Sequence, residues 1–180
     1  MDIRCIVTSQ NESGKSVFMR NTSVKPVTLA LFPGYEFHRL WGSDSVPELP
    51  SDGTPPAQPR YFPSIHGFRF GFFTIPPDTT TRIDGLNTAF ALEEILQKLS
   101  GMLEVLERDH PGMHTTDTVD FDVVVSGEVV LELDDRAEVL LKAGDCVIQN
   151  GTRHAWDNRS SANCLIAATL LGAQRNAEHF

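Results

Sequence analysis

Between residues 113 and 171 the chain alternates short apolar, β-branched runs with turn residues, and this rhythm restricts the fold more than any other feature. Strand-like runs at 121–125, 129–133, 138–142, 146–149, 154–158 and 164–171 are separated by Ser126-Gly127, Asp134-Asp135, Ala143-Gly144-Asp145 and Asn150-Gly151. Asn-Gly is a strong hairpin signal, because both residues tolerate the positive φ that a tight turn needs. Short, evenly spaced runs of this kind predict an antiparallel barrel or sandwich.

The N-terminal part reads as further strands at 3–8, 16–20 and 27–32, the last ending at Pro33-Gly34. Residues 35–41 (Y-E-F-H-R-L-W) interleave polar and apolar side chains, as a strand with one face on a polar cavity would. Residues 42–67 hold six of the eleven prolines and read as an irregular arm, since proline removes a ladder donor and fixes φ. Residues 68–75 return to strand and stop at Pro76-Pro77. One helix is expected within 86–109, capped by Asn87 or Thr88. Its apolar stripe runs through Leu92, Ile95, Leu96, Leu99, Leu103 and Leu106, and Pro111-Gly112 ends it. Gly101 inside it costs about 1 kcal/mol relative to Ala. The chain is thus read as a single domain over 1–180, with its barrel motifs in 112–172.

With 180 residues and 41% hydrophobic content, the chain can build a core without disulfide or metal staples. A net charge of −9 and the lack of any Lys/Arg run argue against a nucleic-acid partner. No apolar run reaches the roughly 18–20 residues of a membrane span, and the N-terminus has no signal-peptide pattern. Cys5, Cys146 and Cys164 are odd in number and widely spaced, which suits buried, reduced cysteines in a cytoplasmic protein.

Two histidines open strands in the barrel-like half: His114, ahead of T-T-D-T-V-D-F, and His154, in G-T-R-H-A-W-D-N. Alternation through Asp120, Asp122 and Val124 places Asp120 on a defined strand face. Two neutral imidazoles and a carboxylate form a ligand set that suits Fe, Zn, Mn or Ni.

These stretches resemble the two motifs of the cupin superfamily, G-x5-H-x-H-x3,4-E-x6-G and G-x5-P-x-G-x2-H-x3-N. His114 matches the first histidine, Asp120 stands where the family has Glu, and Gly127 closes the first motif. Gly144-Asp145 opens the second, and Gly151, His154 and Asn158 match G-x2-H-x3-N. Thr116 replaces the second histidine, Gln149 replaces the proline, and the second motif is one residue short. The resemblance implies an all-β, antiparallel cupin-type jelly-roll barrel with an N-terminal strand extension and one inserted helix, and a homodimer. It also implies a site at His114, Asp120 and His154, read in two ways. One is a two-His-one-carboxylate centre for a divalent transition metal. The other is a metal-free site that keeps His and Asp as general acid and base.

Asp117, three residues after His114, is a further candidate ligand or proton carrier, with structural tethering of the chain as its alternative role. His38 is a second candidate proton carrier, and His154 takes that role if no metal is present. Arg39 and Trp41 on the 35–41 strand, Arg69 between two phenylalanines, and Trp156 two residues after His154 are candidate substrate contacts. A buried Arg wants a carboxylate from the protein or a substrate. His66, His110 and His179 sit in loop or tail contexts and read as solvated. The expected activity is decarboxylation, dehydration or isomerisation of an oxygenated, secondary-metabolite-like small molecule in the lumen. A non-haem Fe(II) oxygenase and a non-catalytic ligand-binding barrel are the alternatives.

Overall fold

A computed structural model describes residues 2–80 and 87–176. Leu86, where the expected helical span begins, and His179 in the tail lie outside the described residues. Strands β1 (Ile3–Gln10) and β2 (Ser16–Val24) form an antiparallel hairpin of their own. Strands β3 (Val27–Leu29), β4 (Phe32–Ser43), β5 (Phe68–Ile75), β6 (Thr118–Ser126), β9 (Cys146–Asn150) and β11 (Cys164–Gly172) form a sheet in the order β3-β4-β5-β11-β6-β9. Strands β7 (Glu128–Glu132), β8 (Glu138–Lys142) and β10 (Ala155–Asp157) form a second sheet in the order β10-β7-β8. Every pairing is antiparallel, as the turn spacing predicts.

Period-two alternation orients both sheets. On β6 the buried positions are Thr118, Asp120, Asp122 and Val124. Val124, Ile75 and Ile166 of the large sheet pack against Val129, Leu131 and Leu141 of the small one. Each such side chain contributes about 1.5–3 kcal/mol on burial. The small sheet covers only part of the large one. The remainder is covered by the helical insertion and the proline-rich arm: Ile95, Leu99 and Met102 pack with Phe37 and Leu29, alongside Tyr61 and Phe62 of the arm.

The insertion differs from the expected single helix. It comprises α1 (Thr88–Lys98) and α2 (Met102–Val105), broken where Gly101 takes φ +95°, a conformation that side-chain-bearing residues avoid. Asn87 is the cap, its side chain accepting from the Phe90 N–H. The buried face of α1 is narrower than the leucine stripe suggests, since Ala91, Ile95 and Leu99 are buried while Leu92 and Leu96 are exposed. The expected stop at Pro33-Gly34 is also absent: the chain turns at Ala30-Leu31 instead, and Gly34 absorbs a φ of +83° within β4. Cys164 is buried in the core, but Cys146 faces outward from β9 and is exposed. Among the described residues no helix is long and apolar enough to cross a membrane.

Asn158, a motif residue, is structural. It is fully buried; its Nδ2 donates to Ile75 O and Ala162 O, and its Oδ1 accepts from Ser160 N and Oγ. Asn158→Ala leaves these groups unpaired, each at about 1–3 kcal/mol. The expected outcome is a loss of roughly 2–4 kcal/mol in denaturant unfolding, with the same fold by circular dichroism.

Candidate active site

Between the two sheets and the insertion lies a cavity of about 150 Å³. Its apolar wall includes Tyr35, Phe37, Tyr61, Phe73 and Trp156, and its polar lining is His114, Thr116, Asp120, Asp122 and His154. The structure therefore places His114, Asp120, His154 and Trp156 around one lumen. Trp156 stands perpendicular to the His154 ring, 5.9 Å between centroids.

His114 and His154 meet across an isolated antiparallel bridge, with two backbone hydrogen bonds of 3.0 Å and ring centroids 4.1 Å apart. His114 Nδ1 lies 3.0 Å from Gly112 O, and His154 Nδ1 lies 2.9 Å from Thr152 O. A carbonyl can only accept, so both Nδ1 atoms carry the proton and each neutral ring keeps its lone pair on Nε2. Burial lowers the pKa of His114. Burial, then the neighbouring His114, lower that of His154 to about 4. Both rings are neutral near pH 7.

The carboxyls behave in the opposite sense. Asp120 and Asp122 share the inward face of β6 and are 7% and 6% exposed. Burial pushes Asp120 up to about 6, partly offset by the Thr118 hydroxyl. Burial, then repulsion from Asp120, push Asp122 up to about 8. Asp120 Oδ1 is buried with no hydrogen-bond partner among the described residues. Burial also raises the phenols of Tyr35, to about 12, and Tyr61.

A fixed Nδ1–H on each histidine is the support that metal-ligating imidazoles have. The third ligand does not fit. Among the described residues the group of three potential ligands that converges within 4.8 Å is Glu132, Glu138 and Asp157, not His114, Asp120 and His154. Glu138 and Asp157 are already engaged by Arg159.

Asp117 is corrected. It has the opposite parity to Asp120, its side chain is 66% exposed, and it pairs with Arg175 at 2.6 Å, so it tethers the chain rather than serving the lumen. His38, Arg39 and Arg69 do not line this cavity; they line a smaller adjoining one of about 30 Å³. Trp41, past a bulge in β4, lines neither. Asp122 and Tyr61 are lumen residues that the motifs do not mark. Asp122 carries a signal, its parity with Asp120, whereas Tyr61 sits in the arm, where no periodicity points to it.

No family model matches the chain. It is 48% identical over 48 residues to the phomopsin biosynthesis cluster proteins C′ and D of Diaporthe leptostromiformis, covering 27% of this chain and 25% of each relative. It is 47% identical over 55 residues to the oryzines biosynthesis cluster protein J of Aspergillus oryzae, covering 28% of this chain and 31% of that one. The match thus spans about a quarter to a third of the length of these curated relatives. Among solved structures, the chain is similar to a putative ethanolamine utilization protein Q from Salmonella typhimurium (TM-score 0.44, 13% identity, 97% of this chain and 99% of that one). It is also similar to a cupin 2 conserved barrel domain protein from Salinispora arenicola (TM-score 0.43, 16% identity, 86% and 92%). The fold class itself, all-β and antiparallel with a helical insertion, is the one expected from the sequence.

The buried carboxyls have a consequence for stability. Asp122 titrates near the ordinary aspartate value of 3.8 when unfolded and at about 8 when folded, so the folded chain holds an extra proton between those values. Stability from this group therefore falls as pH rises through that window. His154, folded at about 4 against 6.5, acts oppositely between pH 4 and 6.5. Asp122→Asn removes the first effect, which amounts at most to about 1.4 kcal/mol for each pH unit of that window. Its melting temperature relative to the native chain is expected to climb from pH 4 to pH 8 and then level; a difference independent of pH would refute the raised value.

Proposed function

We propose that the chain is a small-molecule enzyme performing non-redox acid–base chemistry in the lumen, a dehydration or isomerisation of an apolar, oxygenated substrate. The supporting observation is the Asp120–Asp122 pair on one face of β6. Their environments push the two groups apart, so that near neutral pH Asp120 is ionised and Asp122 protonated, one a base and the other an acid. Asp120 removes a proton from the carbon next to a carbonyl. Asp122 gives its proton to the carbonyl oxygen for isomerisation, or to a departing β-hydroxyl, which leaves as water. In an isomerisation the enol O–H returns its proton to Asp122 while Asp120 delivers the abstracted proton to another carbon, so both groups are reset. A dehydration leaves Asp120 protonated and Asp122 ionised, and exchange with solvent resets them. The neutral Nε2 atoms of His114 and His154 accept hydrogen bonds from substrate hydroxyls. The aromatic walls favour a ring or polyene over a sugar-like ligand. The relatives named for phomopsin and oryzines biosynthesis clusters support a role in secondary metabolism. No step is routed through a metal, because the expected three-ligand set does not converge.

The test uses the full chain in D₂O with EDTA and a panel of enolisable aryl ketones and β-hydroxy ketones, followed by proton NMR. Deuterium incorporation or water loss is expected without metal or O₂, and Asp120→Asn is expected to lower the rate by about 10²-fold or more. The rate should rise with pH near 6 and fall near 8, as the pair titrates. The titratable groups that line the lumen with the pair are His114, His154, Tyr35 and Tyr61, and Arg39 stands three strands away in the row of Asp122. Burial drives both histidines downward and both phenols upward, away from the window of the pair, and Arg39 keeps its charge there. Turnover that requires added Fe(II) and O₂ would replace this reading with the oxygenase.

We also infer that the chain pairs with a second copy through the outer face of the large sheet. Phe70, Thr169, Phe121 and Ile148 stand in one row across β5, β11, β6 and β9, and Phe70, Phe121, Ile148 and Val123 are exposed. No charged side chain interrupts this row, so a second copy of a −9 chain meets apolar surface there without like-charge repulsion. Light scattering is expected to give a dimer mass, and Phe121→Glu a monomer of unchanged circular dichroism. A monomeric native chain would refute the pairing.

A further inference from the structure

The inner surface of the large sheet carries its charges in transverse rows. Register places Arg39 (β4), Gly71 (β5), Ala168 (β11) and Asp122 (β6) side by side in one row. Arg69, Leu170 and Asp120 stand side by side in the next row. Three strand steps of about 4.8 Å separate the backbones of Arg39 and Asp122 by roughly 14 Å along the sheet. The two residues between them are small, a glycine and an alanine. Gly71 has no freedom to be larger, since a Cβ there would stand 2.3 Å from His38 O. The two cavities adjoin, sharing Phe37, Tyr61, Phe73, Ala168 and Leu170 as walls.

The two arginines are not equivalent. Arg69 is neutralised by Asp44, its Nη2 lying 2.8 Å from each carboxylate oxygen. Arg39 donates from Nη2 to Gln58 O and Arg60 O, at 2.7 and 3.1 Å, and among the described residues it has no carboxylate within 4.0 Å. Burial, then the neighbouring Arg69, act against its charge. His38, beside Arg39 in β4, is 3% exposed but pairs with Phe72, so its side chain lies on the opposite face of the sheet from Arg39. A space of about 30 Å³ has room for a water or one oxygen-bearing group, while one of about 150 Å³ accepts a single benzene-sized ring.

We infer that Arg39 is the anchor for a carboxylate on the lumen's ligand, so that the substrate is an aromatic or similarly apolar acid. Its carboxylate sits at Arg39, its ring lies over Gly71 and Ala168 against Tyr61 and Phe73, and its uncharged reacting end meets Asp122. The inference rests on the acid–base reading of Asp120 and Asp122 and adds the substrate class to it. It also resolves an electrostatic conflict, because a carboxylate placed at Asp120 would face a like charge, whereas at Arg39 it meets the unneutralised cation. An acid held at that end keeps its carboxylate, which turns the chemistry at the other end toward dehydration or isomerisation and away from decarboxylation.

The test is binding, which does not depend on turnover. Benzoate, phenylacetate and 3-phenylpropanoate, with their neutral amides, are titrated into the full chain by calorimetry and ligand-observed NMR. At least one acid is expected to bind about 10-fold or more tightly than its own amide. Arg39→Gln is expected to abolish that preference by weakening the acid and leaving the amide unchanged. Arg39→Lys should keep part of the preference, and Asp122→Asn all of it. If Arg39 serves only to clamp Gln58 and Arg60 of the arm, Arg39→Gln lowers the melting temperature while the acid preference persists, and the inference is overturned. Equal binding of acid and amide by the native chain overturns the inference but leaves the acid–base lumen standing. If neither acids nor amides bind, both readings fall.

Discussion

Two carboxyl groups on one strand face, enclosed by aromatic rings and with no cation paired to them among the described residues, are not both ionised near neutral pH. The rest of the lumen follows from that constraint. Phe37, Phe73, Trp156 and Tyr61 exclude the water that would otherwise return both groups to ordinary carboxylate behaviour. The three-stranded sheet is too narrow to provide this enclosure alone. The helices α1 and α2 and the arm at Tyr61-Phe62 complete it, so the insertion takes part in setting protonation states as well as in packing.

The distribution of arginines reinforces the point. Arg153 holds Glu107 and Asp134, Arg159 holds Glu138 and Asp157, Arg175 holds Asp117, and Arg69 holds Asp44. Most of these pairs lie at or near the surface, where an ion pair adds little to stability. Among the described residues Asp120 and Asp122 have no such ion-pair partner, and Arg39 has none either. Arg39 and the protonated Asp122 stand in one row of the sheet, with Gly71 and Ala168 between them.

The barrel was legible because its signals are local. Turn dipeptides, β-branched runs and the Asn87 cap are each written within a few residues. Strand parity was equally legible, and it separates Asp122 from Asp117 with the same arithmetic that selects Asp120. Motif resemblance drew attention to position 120 alone, and Asp117, near His114 in sequence, faces the wrong way. The break at Gly101 was visible as a cost but not as a turn, because only tertiary packing decides whether a helix tolerates glycine or ends there. Tyr61 and the Arg39–Asp122 row were not legible. One returns to the lumen through an aperiodic arm, and the other depends on the register of four strands, two of which are distant in the chain.

The Thr118 hydroxyl donates to the Thr116 hydroxyl at 2.8 Å, and that wall of the lumen is closed by a neutral hydrogen bond. His114 and His154 keep the backbone anchors that fix their Nδ1 protons, so their Nε2 atoms remain acceptors of fixed direction. On the proposed reading Asp120 is the base and Asp122 the acid, which leaves the histidines as acceptors. A ligand that fits that reading brings donors to the histidines, an acceptor to Asp122 and an acidic C–H to Asp120. A hydroxylated, carbonyl-bearing ring meets all three demands at once, which a bare hydrocarbon of the same volume does not.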